Sequence, residues 1–327
     1  MTIASVTARQ PLLRVSLLTT ALLIGTAAAQ GTPVLLAPKP YARVISAPIN
    51  ALSGIVKVPG RENTYWVHNG SPDSARIFAI TAEGKSILPT YSKFTSYGDE
   101  PEQGKEQWQG FPVLDAKNVD WEDIAIDRNY LYIADMGNVG NARRDLGIYL
   151  VSKIDPTAST RTAVIQYLQV VYPDQSGFPG VERRFDSESL FISNDTLYLI
   201  TSHRQSSGST YERGANLYRL DTRDTDKPNV LTKVDSNLAI LAAAGASLSP
   251  DGHTLAVISD EALWLFDKPV QGDHWLSASS KRYPFDQSAM KKLAAVTWID
   301  NDTLLMGNRQ RDLFKVALAD LPAPVKP

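Results

Sequence analysis

The chain contains no cysteine, which excludes disulfides, thiolate metal sites and a cysteine-borne lipid anchor, so stability must come from core burial. Histidine is nearly as scarce. The four, His68, His203, His253 and His274, are scattered singly, a pattern that speaks against structural zinc. An excess of either charge is missing too. Lys and Arg number 33 against 35 Asp and Glu, without the electrostatic footprint of a protein that binds nucleic acid or an anionic membrane surface.

Long apolar runs are also lacking. The run Val15 to Ile24 follows Arg9 and Arg14 and leads into the small residues Gly25 to Ala29. Even extended to Ala29 it falls short of the roughly 20 residues of a membrane-spanning helix. Basic, apolar and small residues in this order predict a secretory signal peptide over residues 1–29, cleaved after Ala27-x-Ala29. Residues 30–327 are then one domain, secreted or periplasmic, with no membrane anchor after cleavage. Losing the leader moves the formal charge from −2 to −4, because it takes two arginines and no acid.

What the chain does have is a repeat. Five segments read as β-hairpins, each an apolar strand, a turn of Asp, Asn, Gly or Pro, and a second apolar strand. They are Ser53 to Asn69, Glu122 to Asp135, Glu188 to Ser202, Ala246 to Asp260 and Ala295 to Asn308. A third strand follows each, at Ala75 to Ile80, Leu146 to Val151, Ala215 to Leu220, Ala262 to Phe266 and Asp312 to Val316. Weaker fourth strands fall at Ser86 to Phe94, Ala163 to Val171, Val230 to Val234 and Ser280 to Phe285. The last repeat lacks one, and Tyr41 to Ser46 could supply it. The expected fold is an all-β single β-propeller of five blades, with six as the alternative, closed by this N-terminal strand joining the last blade. Thr95 to Gly110, Pro173 to Arg184 and Gln205 to Gly214 read as surface insertions.

The segment Asp120 to Asp135 (DWEDIAIDRNYLYIAD), with Met136-Gly137-Asn138, resembles a family of exported bacterial β-propellers with a Trp-Glu-Asp-Ile-Ala motif. Tyr65 to Ile80 is similar to that family's first blade, and Asp186 to Leu190 to its third. Distantly, the chain is similar to gluconolactonase-like and phytase-esterase-like propellers. The resemblance implies a propeller and allows a calcium-dependent esterase or lactonase. In the family, several innermost strands begin with an acidic residue, four positions before the last apolar residue ahead of the turn. Here those positions are Glu122, Glu188, Ala244, Ala294 and either Ser53 or Gly54, so only two are acidic.

Glu122 and Glu188, with Asp123 beside the first, are the candidate ligands for calcium, which takes six to eight oxygens; the alternative is that they bind backbone amides and channel water. Residues ending the second strands, Asn69, Asp135, Ser202 and Asn308, form a one-sided set suited to calcium or a hydroxyl-rich ligand, or merely cap turns. His203 directly follows a second strand and is the candidate general base if the protein is a hydrolase. A solvated loop histidine is the alternative. No Gly-x-Ser-x-Gly elbow is present. Trp108, with Tyr97, and Trp275 lie in loops and read as exposed, the longer loop covering the channel mouth. Arg143, Arg144, Arg183 and Arg184 could meet an anion or be solvated. The reading favours a binding module for a small molecule or protein segment at the channel mouth, with calcium-assisted hydrolysis of an ester, lactone or phosphoester as the alternative.

Overall fold

The computed structural model describes residues 1, 2, 4, 33–91, 93–95, 106–208 and 210–326, and residues 34–327 form one compact unit. The predicted signal peptide and Tyr97 lie outside the described residues, save for residues 1, 2 and 4 of the leader. The chain is all-β. Among the described residues its one α-helix, Gln287–Met290, is a single turn, and no helix is long and apolar enough to cross a membrane.

Each predicted hairpin and its third strand form an antiparallel meander. The first runs through Leu52–Lys57, Tyr65–Asn69 and Arg76–Ile80, and the second through Trp121–Ile126, Tyr130–Asp135, Gly147–Ser152 and Thr162–Val171. The third comprises Arg183–Ser193, Thr196–Arg204, Tyr211–Leu220 and Thr232–Leu241, and the fourth Ala243–Leu248, Thr254–Ser259, Ala262–Asp267 and Ser280–Pro284. The last is Leu293–Trp298, Thr303–Asn308 and Asp312–Ala317. The first strand of each meander packs against the first strands of the meanders before and after it, and Leu293–Trp298 returns to Leu52–Lys57. These inner strands therefore ring an axial channel.

The ring closes as the sequence suggests. Ala42–Arg43 pairs antiparallel with Leu313 and Asp312, the Val44 and Tyr41 N–H groups donate to Arg311 and Leu313, and Arg43 pairs with Asp312 at 2.7 Å. The last sheet so gains an outer strand from the other end of the chain, which leaves it no long open edge.

The first outer strand departs from expectation. Only Ser86–Ile87 of the predicted Ser86 to Phe94 pairs with Arg76–Ile80; the other end of that edge is taken by Phe111–Leu114, beyond the predicted insertion. Phe111–Leu114 also runs parallel to Thr162–Val171, so the first two meanders merge into one ten-stranded sheet. The fourth strand of the third meander likewise lies later than predicted, at Thr232–Leu241.

Hydrophobic packing is distributed between neighbouring sheets. Trp66 and Phe111 pack with Trp121 and Tyr149 between the first two meanders, and Tyr132 and Leu199 between the second and third. Phe191 and Trp264 share the next interface, Leu263 and Phe314 the next, and Val67 and Leu305 the last. A sheet buried on both faces needs apolar side chains at successive positions, which is why the middle strands read as continuous apolar runs. Trp108 and Trp275, expected at the surface, are buried. Trp108 packs edge-on against Phe94 and Phe111, and Trp275 against Phe191. Burying an indole gains more than a loop position costs, so both indoles are drawn onto the core.

Candidate functional site

One irregularity recurs in all five inner strands. Pairing slips by one residue between Leu52 and Gly54, Trp121 and Asp123, Ser187 and Ser189, Ala243 and Gly245, and Leu293 and Ala295. The extra residue in each bulge is Ser53, Glu122, Glu188, Ala244 or Ala294. A bulge re-aims the residue it leaves unpaired, and these form one tier of the channel. The structure thus selects Ser53 over Gly54 as the equivalent position in the first repeat.

The tier is polar on one side only. Ser53 Oγ donates to the Glu122 carbonyl at 3.0 Å and to Glu122 Oε2 at 3.3 Å. Glu188 accepts from the Tyr211 hydroxyl and lies 3.5 Å from Arg204, whose guanidinium also holds Asp186 at 2.7 Å and lies over the Tyr211 ring. Asp186 in turn accepts from the Asn138 N–H at 2.6 Å. Asp120 joins from the loop before Trp121–Ile126. A methyl group on Gly137 would lie 2.3 Å from Asp120 Oδ2 and 2.5 Å from Glu122 Oε1. Ala244 and Ala294 bring no polar group to the remaining positions, and the charges of Arg309 and Lys292 act on the glutamates.

Burial and mutual repulsion dominate the electrostatics. Burial first, then the Glu188 charge, raises the Glu122 pKa well above the usual carboxylate range, and Arg309 offsets this in part. Burial and then Asp186 raise Glu188, against the hydrogen bond from Tyr211. Two buried carboxyls raised together disfavour double ionisation, so the mouth can both donate and accept a hydrogen bond.

Asp123 does not belong to this cluster. Its Oδ1 accepts from its neighbour Ile124 at 2.8 Å, and Oδ2 accepts from Leu190 at 2.8 Å and Ala246 at 3.4 Å. Those three N–H groups lie on the second, third and fourth inner strands. A carboxylate that reaches all three stands in the lumen, and it separates the acidic mouth from the far end of the channel.

The strand-end set is brought to one side of the ring, but its polar atoms are occupied. Asn69 Oδ1 accepts from Ala51, and its amide donates to Pro48 O and Asp73. Asp135 accepts from the Asp120 N–H and pairs with Arg143 at 3.0 Å. Ser202 donates to Ala243 O; Asn308 accepts from Gln310 and Asp312 and donates to Met290 O. Each side chain fastens chain that enters or leaves a strand.

His203 is a strand residue, buried, and not on a loop. It precedes Arg204 on the same strand, so the two point to opposite faces and His203 turns away from Glu188. A side chain at Gly214, where φ is +139°, would strike its ring at 1.9 Å. Burial, helped by Arg184, lowers its pKa to about 4. Arg183 donates to the Gly140 and Ser206 carbonyls, and Arg144 lies over the Phe178 ring.

Calcium does not fit this arrangement. Asp123 uses both oxygens on backbone N–H groups, Glu188 is held by Tyr211 and Arg204, and no three metal-ligating side chains of the described residues gather around one point. Tyr211, Arg204, Asp186, Asp120 and Arg309 escaped sequence reasoning. Their only trace is the cross-strand pair Arg204 and Tyr211, which extends the third hairpin into a segment that reads as loop.

No protein-family model matches the chain, and no curated protein does. Remote similarities to solved structures exist. The PQQ-bound aldose sugar dehydrogenase of Streptomyces coelicolor is 11% identical, with a TM-score of 0.45 over 88% of this chain and 99% of that one. A luciferin-regenerating enzyme is 12% identical, TM-score 0.44, over 90% and 80%. A Xanthomonas campestris gluconolactonase is 13% identical, TM-score 0.42, over 90% and 99%.

The crowding at Gly137 gives a direct test of the mouth. Gly137→Ala is expected to press on Asp120 and the buried Glu122 and to destabilise the protein by about 1–3 kcal/mol. Ligand binding at the mouth should fall at least tenfold, read by titration calorimetry beside a thermal melt.

Proposed function

We propose that the chain is an exported five-bladed β-propeller that binds a small hydroxyl-rich molecule at the mouth of its channel, against Glu122 and Glu188. The observation that carries this reading is the lopsided bulge tier. Two carboxyls and a serine take three consecutive bulge positions, and alanines take the other two. With double ionisation disfavoured, one carboxylate accepts from a ligand hydroxyl while a protonated carboxyl donates to another oxygen. Arg309 and Lys292 limit the repulsion. Five meanders with five intervening cores support the blade count, and residues 1–29 support export.

A thermal-shift panel of aldoses, sugar lactones and polyols tests the proposal. At least one compound should raise the melting temperature by several degrees, and Glu122→Gln and Glu188→Gln should abolish the shift. A panel that leaves the wild-type protein unmoved would sink it. Calcium chloride with and without chelator is the second arm. A chelator-reversible calcium shift, together with ester or lactone hydrolysis lost in Glu122→Ala, would transfer the site to calcium-assisted hydrolysis.

A further inference from the structure

Beyond Asp123, at the hairpin end of the channel, lies a cavity of about 510 Å³. Two tiers of equivalent inner-strand positions wall it. Ile55, Ile124, Leu190 and Ala246 form the deeper tier and are buried. Lys57, Ile126, Ile192, Leu248 and Trp298 form the outer one. Of that outer tier, Ile126, Ile192 and Leu248 remain partly exposed. Apolar side chains at three equivalent, water-touching positions gain nothing from solvent, so the tier suits an apolar occupant.

Apart from Glu62 and Ser247, the polar groups that line the walls are largely paired already. The Ile124, Leu190 and Ala246 N–H groups donate to Asp123, and the Lys57 N–H donates to Thr297 Oγ1 at 3.2 Å. Trp298 Nε1 donates to Ser247 O at 2.9 Å. The Lys57 ammonium is turned onto the Ile299 carbonyl, and Arg61 pairs with Asp155. An inserted peptide would bring backbone donors and acceptors to walls that answer few of them, at a cost for each group left unpaired. A small molecule with few polar atoms brings no such cost, and the volume falls in the range of small-ligand pockets, about 300–1,000 Å³.

We infer that this cavity is a second ligand site, independent of the acidic mouth, for an uncharged apolar molecule with an aromatic or alkyl body. The probe is N-phenyl-1-naphthylamine, whose fluorescence rises in apolar surroundings, titrated into the full folded protein. Saturable binding at one molecule per chain is expected. Leu248→Trp and Ile126→Trp fill the cavity from two walls and should each weaken binding at least tenfold. Leu248→Ser, which adds a hydroxyl but no bulk at a partly exposed position, should weaken it too. Melting temperatures identify which variants are folded. Glu122→Gln should leave probe affinity unchanged, which separates this site from the mouth. No saturable binding by the wild-type protein, or undiminished affinity in any folded variant of the three, overturns the inference.

Discussion

Replacing Asp123 by alanine is expected to lower the free energy of unfolding by about 3 kcal/mol, measured by urea denaturation at neutral pH. The carboxylate accepts three backbone N–H groups from three inner strands, and alanine leaves all three buried donors without a partner. Each unpaired donor costs about 1–3 kcal/mol. The offset is the charge itself: burial pushes the Asp123 pKa well above the usual carboxylate range, so removing the group also removes that penalty. Asp123→Asn should lose about half as much, because its amide oxygen can still accept from Leu190 and Ala246 while its NH₂ opposes the Ile124 N–H. A loss below about 1 kcal/mol in the alanine variant would mean that water satisfies those groups and that the channel is continuous.

Glu122→Gln is expected to act in the opposite direction, stabilising the protein by about 1–2 kcal/mol at pH 7 while abolishing binding at the mouth. The pH dependence has a definite sign. The Glu122 pKa is raised in the folded state, so the folded protein holds a proton that the unfolded chain releases. That contribution is complete below the ordinary glutamate pKa and is lost as pH rises through the folded value. The stability difference between variant and wild type should therefore vanish near pH 4 and grow upward from about pH 4.5. Subtracting the two profiles cancels depressed acids elsewhere, such as Glu83, lowered to about 2 by Asn63 and Thr81. A variant less stable than wild type at every pH would show that Arg309 and Lys292 already compensate the pair.

The repeat and its acidic positions were legible because they depend on local pattern. Counting back from Ile126 and Ile192 finds Glu122 and Glu188, since every inner strand has the same length from bulge to turn. The role of Asp123 was not legible. Strict alternation would send it away from a channel that holds Glu122, but the bulge interrupts alternation and both reach the lumen. Tyr211 and Arg204 were hidden for another reason: the strands Thr196–Arg204 and Tyr211–Leu220 stay paired past the repeat, into a polar segment that only this long-range pairing makes a strand. Trp108 and Trp275 show the same limit, because a loop aromatic is buried or bare according to what folds beneath it.

By itself, then, the sequence determined the all-β class, the hairpins and third strands, and the strand that joins the two ends, because apolar alternation and turn chemistry act over a few residues. The tertiary structure alone decided that Tyr211, Arg204 and Asp186 join the two glutamates, that an aspartate divides the channel, and that the far end is apolar. Those outcomes depend on which inner strands become neighbours around the axis and on where each bulge turns a side chain.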